Sequence, residues 1–281
     1  MSLDADYEVE RYSFAKGCTV EVCRCTHRSS GARRAVKICN IDTLGLRRAA
    51  MAVEEGQLAK SLPQAPQLVR VFDVYQEEGR VAIVMELMER GSLFQRLSTQ
   101  GPVPEALARV LARHLFTGLL VLHSSGVMHR DIKPENVFLR GTQSSPADVL
   151  SIGDFGFATR QIPSEDFVGS PQYSAPELAL IGLQQNSHAR APGGRPLYNE
   201  KCDIWSAGVL VFVMLSGLLP FDGATPTDVF TAVVRNAVPY EKAAPGRISA
   251  QAKAFMQLTM SSNPSKRPSA KEALRHPWLV N

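Results

Sequence analysis

His129-Arg130-Asp131-Ile132-Lys133-Pro134-Glu135-Asn136 is the stretch on which the fold is decided. Six of its eight side chains are charged or polar, and it lies between two patterned segments. Before it, Pro104 opens a run in which Leu107, Val110, Leu111, Leu115 and Leu119 recur at helical spacing, which predicts an amphipathic helix beginning at the proline. After it, Val137-Phe138-Leu139 is β-like. The polar run is therefore expected on a loop between helix and strand. Asp154-Phe155-Gly156 and Ala175-Pro176-Glu177 follow in order. Any one short motif recurs by chance; three in this order do not.

In this order the motifs resemble the protein kinase family, and the likeness runs over about the whole chain, from Tyr7 to Leu279. It implies an α+β, bilobal fold: residues 1–281 as a single kinase domain, with a small antiparallel-sheet lobe, one main helix and the hinge in 1–88, and a larger, mostly helical lobe in 89–281. ATP and Mg²⁺ are the implied cofactors and protein hydroxyls the implied acceptors. A sugar or antibiotic kinase would share the Asp and the metal ligands but not the Ala-Pro-Glu motif.

Phosphoryl transfer asks a protein for alignment and charge neutralisation more than for covalent chemistry. The resemblance assigns Asp131 to accept the proton of the acceptor hydroxyl and Lys133 to offset charge on the transferring group. Asn136 and Asp154 become oxygen ligands of Mg²⁺, a cation that prefers such donors. His129 is expected to shape the loop. Lys37, in Ala35-Val36-Lys37-Ile38, is the expected phosphate-binding lysine, held by a helical carboxylate. Glu54 and Glu55 both lie in the right helix; Glu55 is preferred because Leu58 and Leu62 fall at helical offsets on its side. Val22, Ala35 and Phe138 are expected to enclose the adenine, Glu86 and Met88 to read its edge through backbone groups, and Met85 to stand behind it as gatekeeper. Ser92, Glu135 and Gly17 complete the nucleotide set.

The glycine-rich loop departs from the family pattern G-x-G-x-x-G-x-V. Here it reads Ala15-Lys16-Gly17-Cys18-Thr19-Val20-Glu21-Val22, and of the three glycines only Gly17 remains. Glycine lets backbone amides approach phosphate, whereas β-branched Val20 stiffens the chain. Slower handling of ATP is one expectation; a catalytically weak or inactive nucleotide-binding scaffold is the alternative.

Around these motifs the first third reads as strands over Thr19–Thr26, Ala32–Cys39, Leu68–Gln76 and Val81–Leu87, with a helix over Leu44–Leu62. The change of character near Met88 to Gly91 marks the hinge. Val209 to Leu218 is apolar all round and predicts a buried helix. Ser269-Ala270-Lys271-Glu272 is a capping box, and Thr225-Pro226 with Asp228 starts another helix. Gln184 to Tyr198 reads as an exposed loop or docking site.

Lys133, and Gly169-Ser170-Pro171-Gln172-Tyr173 ahead of Ala175, are similar to the serine/threonine branch. Leu215-Ser216-Gly217, Pro220-Phe221 and Arg275-His276-Pro277-Trp278-Leu279 look like the calcium/calmodulin-dependent and calcium-dependent protein kinase group. Arg267 is the expected ion-pair partner of Glu177, and Ser170 is expected to bond the catalytic loop. Ser92 and Val213 stand where basophilic relatives carry acids, so a weak demand for substrate arginine is expected. Asp166 stands where some kinases carry a phosphothreonine and is expected to pair with Arg130.

The chain has 281 residues, 44% hydrophobic and 21% charged, ordinary proportions for a folded protein. Its net charge of +4 does not suggest nucleic acid. The longest apolar stretch noted, Ala207 to Phe221, falls short of the roughly 18–20 residues of a membrane span. Met1 to Glu10 lacks a signal sequence, Ser2 excludes myristoylation, and five cysteines make no disulfide framework, so a cytoplasmic monomer is expected. No D-x-[DN]-x-[DN]-G calcium loop is present, so a regulatory segment or calcium sensor is expected only outside these residues.

Overall fold

Apolar alternation with a period of two builds the small lobe. In a computed structural model that describes residues 2–16, 20–41, 45–141, 149–186, 197–243, 246 and 248–280, a short helix α1 (Leu3–Asp6) leads into strands β1 (Tyr7–Lys16), β2 (Val20–His27) and β3 (Arg33–Asn40). Helix α2 (Leu46–Lys60) and strands β4 (Val71–Glu77) and β5 (Arg80–Glu86) complete an antiparallel sheet in the order β1-β2-β3-β5-β4. The register sets Ala35, Lys37 and Cys39 opposite Met85, Ile83 and Val81, and Val36 and Ile38 opposite Val84 and Ala82. Because side chains alternate along a strand, the first set shares the face toward α2 and the cleft and the second shares the outer face.

The outer face has its own apolar cluster, in which Leu3, Tyr7, Cys25, Val36 and Val84 are almost fully buried. Helix α1 closes it: the Leu3 N–H donates to Glu77 (2.6 Å) and the Tyr75 hydroxyl to Asp6 (2.8 Å). Neither α1 nor β1 was expected from the sequence. The expected strand over Leu68–Gln76 begins only at Val71, because Leu68 and Val69 pair with Ile152 of the other lobe.

The large lobe comprises α3 (Leu93–Gln100), α4 (Glu105–Ser124), the hairpin β6 (Val137–Arg140) and β7 (Val149–Ile152), α5 (Pro176–Asn186), α6 (Lys201–Ser216), α7 (Pro226–Arg235), α8 (Ala250–Thr259), α9 (Ala270–Ala273) and α10 (Pro277–Val280). Pro104 is the N-cap of α4, not its first helical residue. Leu111, Leu115 and Leu119 are buried as expected, but Val110 is 45% exposed: the buried stripe runs through Ala108, Ala112 and Phe116, turning Val110 outward. Among described helices α4 alone, and not the Ala207–Phe221 stretch, has the length and hydropathy of a membrane span; here its Leu111, Leu115, Phe116 and Leu119 are buried in the core.

Helix α6 is buried along almost its whole length, from Cys202 to Leu215. It ends at Ser216, where Gly217 takes a left-handed conformation (φ 74°), so Leu218 lies beyond the helix and is 40% exposed. The expected capping box of Ser269 with Glu272 forms, and the helix expected to start at Thr225-Pro226 carries one as well, Thr225 with Asp228. Residues 187–196 of the expected Gln184–Tyr198 loop lie outside the described residues.

Candidate active site

Strand β3 carries Lys37 on the face that looks into the crevice between the lobes. Helix α2 lies close to the sheet because residue 56 is glycine: a Cβ there would come within 2.8 Å of Val74. That approach brings Glu55 to Lys37, with Nζ 2.7 and 3.0 Å from its two oxygens, while Glu54 is exposed. Asp154 Oδ1, from the other lobe, lies 3.2 Å from the same ammonium. Burial alone would lower the Lys37 pKa, but Glu55 and Asp154 overcome it and hold the ammonium above its ordinary range. Asp154 is held below the usual carboxylate range: its enclosure raises it, and Lys37 more than offsets that.

The loop after α4 is shaped by a buried carboxylate. Asp203 of α6 is fully buried and accepts the backbone N–H groups of His129 (2.9 Å) and Arg130 (2.8 Å), with His123 Nε2 2.9 Å away. These contacts hold Arg130 at φ 68°, a conformation costly for a side-chain-bearing residue. Buried His129 packs on Phe155 and places Nε2 3.1 Å from the Gly153 carbonyl.

Burial works to raise the Asp203 pKa; the hydrogen bond and charge of His123 outweigh it, and the net shift is downward. A carboxylate depressed in the folded state stabilises fully above its unfolded pKa, about 3.9, and that contribution fades as pH falls toward the folded value. Asp203→Asn is therefore expected to cost about 1–3 kcal/mol at pH 7. In urea titrations the gap from the parent protein should narrow below about pH 4; a constant gap down to pH 2 would contradict this.

Asp131, 5% exposed, is held from both sides. Oδ1 accepts from the Ser170 backbone N–H (3.1 Å) and hydroxyl (3.0 Å), Oδ2 accepts from Asn136 Nδ2 (2.8 Å), and Lys133 Nζ is 2.9 Å away. Lys133 also donates to Ser170 Oγ (2.8 Å). Gly169, at φ 95°, makes the turn that brings Ser170 in; a Cβ there would lie 2.5 Å from the Arg130 carbonyl.

Arg130 is surrounded by oxygens: the Phe157 carbonyl (2.7 Å), Tyr198 hydroxyl (3.1 Å), Ser164 hydroxyl (3.3 Å) and Asp166 carboxylate (3.4 Å). The pairing with Asp166 matches the sequence expectation. Ser164 is almost fully buried and bridges backbone to backbone with Tyr198, so its hydroxyl is sequestered. Tyr198 was not foreseen as a partner. Further off, Arg267 forms the expected two-pronged pair with Glu177 (2.6 and 2.7 Å).

Between the lobes lies a cavity of about 570 Å³, a volume ordinary for a small-molecule site. Val22, Ala35, Lys37, Glu55, Met85, Glu86, Met88, Ser92, Glu135, Asn136, Phe138 and Asp154 all border it. Asp131 and Lys133 lie next to it through Asn136. Gly17 lies outside the described residues. The Ser92 hydroxyl caps α3 by accepting from the Gln95 N–H (3.3 Å). The Glu86 N–H donates to the Arg70 carbonyl (2.9 Å), so only its carbonyl is left to read a base.

Among the described residues no three His, Cys, Asp or Glu side chains gather as a metal site. The donor set nonetheless suits Mg²⁺ shared with phosphates: Asp154 carries the charge, and Asn136, whose Nδ2 is committed to Asp131, keeps its amide oxygen for a cation.

Residues 13–279 match the family model described as "Protein kinase domain". Among curated proteins, the chain is 34% identical over 264 residues to Calcium-dependent protein kinase 20 of Oryza sativa subsp. japonica, covering 92% of this chain and 44% of that protein. It is 32% identical to Calcium-dependent protein kinase 7 of Arabidopsis thaliana (92% and 46%) and 28% identical to Calcium-dependent protein kinase 5 of Plasmodium falciparum (97% and 45%). The chain thus spans less than half the length of these relatives.

Proposed function

Because this chain belongs to the protein kinase family, we propose that it transfers the γ-phosphoryl group of ATP to serine or threonine hydroxyls of proteins as a signalling kinase. The observation that carries this is the convergence of Lys37, Glu55, Asp154, Asn136, Asp131 and Lys133 about one crevice.

In this reading Lys37, steadied by Glu55, binds the α and β phosphates. The Glu86 carbonyl and Met88 N–H read the adenine edge between Val22, Ala35 and Phe138. Mg²⁺ bound by Asp154 and the Asn136 amide oxygen would offset charge on the β and γ phosphates. Asp131 orients the acceptor hydroxyl and takes its proton as the new O–P bond forms and the bond to ADP breaks. Lys133 sits where it can offset charge on the moving group, and Ser170 aligns both. Asp166 and Tyr198 support a segment already held without phosphate. Nothing among the described residues favours a scaffold without turnover.

A cytoplasmic setting is proposed with this activity, supported by Cys23, Cys25, Cys39 and Cys202, all buried and none in a disulfide. The names of the relatives carry calcium dependence; for this chain, calcium control is proposed only through a sensor other than these residues.

The test uses unphosphorylated protein, labelled ATP and a degenerate peptide library. Label on serine and threonine, with no dominant upstream arginine, is expected without prior phosphorylation. Silence until Ser170 or another segment hydroxyl is phosphorylated would sink the role given to Asp166; label on tyrosine would sink the acceptor class.

A further inference from the structure

We infer that Arg140 is a positioning residue for adenine recognition, holding the hinge from the large lobe. The proposal rests on the nucleotide reading of the cleft given above. Arg140 is the last residue of β6, the short strand that runs on from the catalytic loop. Its guanidinium forms a two-pronged pair with the Glu86 carboxylate, Nη1 to Oε1 and Nη2 to Oε2 (2.8 Å). It also donates to the carbonyls of Pro66 (3.1 Å) and Leu68 (3.3 Å).

Each partner lies where the lobes join. Glu86 ends β5, and its backbone N–H already bonds Arg70, so the backbone that would read a base begins at this residue. Pro66 and Leu68 belong to the loop between α2 and β4, which is tied to β7: Ile152 donates to the Gln67 carbonyl (2.8 Å), and Val69 donates to the Ile152 carbonyl (2.8 Å). At the other end of the hinge, the Leu139 N–H donates to the Gly91 carbonyl (3.0 Å) and Ser92 pairs with Phe138. Strand β6 therefore grips residues 86–92 at both ends, by backbone at Gly91 and by a side chain at Glu86, while its Phe138 borders the cleft.

An isolated, partly exposed ion pair would do little. This one is forked, is joined to two carbonyls, and spans two lobes, a geometry that a guanidinium satisfies and an ammonium cannot. Its expected effect is on how well residues 86–88 are preorganised, so it should be read in nucleotide affinity and not in the chemical step.

Three variants of the full chain test it: Arg140→Met, Arg140→Lys and Glu86→Gln. For Arg140→Met, ADP affinity measured by calorimetry is expected to weaken roughly 5–10-fold and KM for ATP to rise in step, with kcat within about twofold. Hydrogen exchange at the Glu86 amide, bonded to the Arg70 carbonyl, is expected to quicken about tenfold in nucleotide-free protein. Arg140→Lys should fall between, and Glu86→Gln should not add to Arg140→Met when combined. Unchanged ADP affinity and unchanged hinge exchange in Arg140→Met would overturn the assignment, as would a drop in kcat without a change in ADP affinity. If the parent chain binds no ADP, the nucleotide reading itself is overturned; a parent that binds while Arg140→Met behaves identically overturns Arg140 alone.

Discussion

Asp131→Asn is expected to lower phosphate transfer by about 10²–10⁴-fold, with ADP affinity within about twofold of the parent. The argument begins with proton capacity. A carboxylate can take the proton of an acceptor hydroxyl; an amide cannot. The substitution also disturbs the two-sided grip on this side chain. Both Asp131 oxygens accept, Oδ1 from Ser170 and Oδ2 from Asn136. An Asn amide must present an N–H₂ group to one of these donors, so either Ser170 or Asn136 loses its acceptor. Turnover should therefore fall while the part of the cavity proposed for adenine, bordered by Val22, Ala35 and Met88, is untouched. Single-turnover rates beside ADP calorimetry separate the two. Equal label incorporation by parent and variant would mean that the activity is not this protein's.

The largest effect on stability is expected at Arg267. Its side chain is fully buried, forks onto Glu177, donates to the carbonyls of Ser261 (2.8 Å) and Lys201 (3.0 Å), and stacks over Trp205 at 5.1 Å. Arg267→Ala removes all of this at once and leaves the buried Glu177 carboxylate without its cation. Breaking a buried pair from one side costs about 3–5 kcal/mol. The expected outcome is a large fall in the urea midpoint, with Glu177→Gln in the Ala background recovering part of it. A loss under about 1 kcal/mol would mean that water reaches Glu177 and that the pair contributes little.

What was legible in the chain was local. The eight-residue loop, the Asp-Phe-Gly motif and the helical offset that singles out Glu55 each depend on neighbours a few positions apart, and pattern alone locates them. Two partnerships escaped because they join distant residues: Arg140 with Glu86, 54 positions apart, and Arg130 with Tyr198, 68 apart. An arginine ending a short strand and a tyrosine following a polar loop carry no periodic signal. The strand β7 escaped for a related reason: Val149-Leu150-Ser151-Ile152 is short, and its partner β6 is what gives it meaning. Val110 was misplaced by spacing alone, since a helix with many apolar positions leaves more than one arc that could face inward.

The small helix that closes the outer face of the sheet has a practical corollary for where this unit is cut. The stretch matched to the family starts at residue 13, yet Leu3 and Tyr7, ten and six positions earlier, are among the most deeply enclosed side chains of the molecule. Similarity and cooperative folding thus end at different places. A fragment trimmed to the homologous span would expose a greasy seam on the roof of its sheet and invite self-association, although every group in the crevice would still be present.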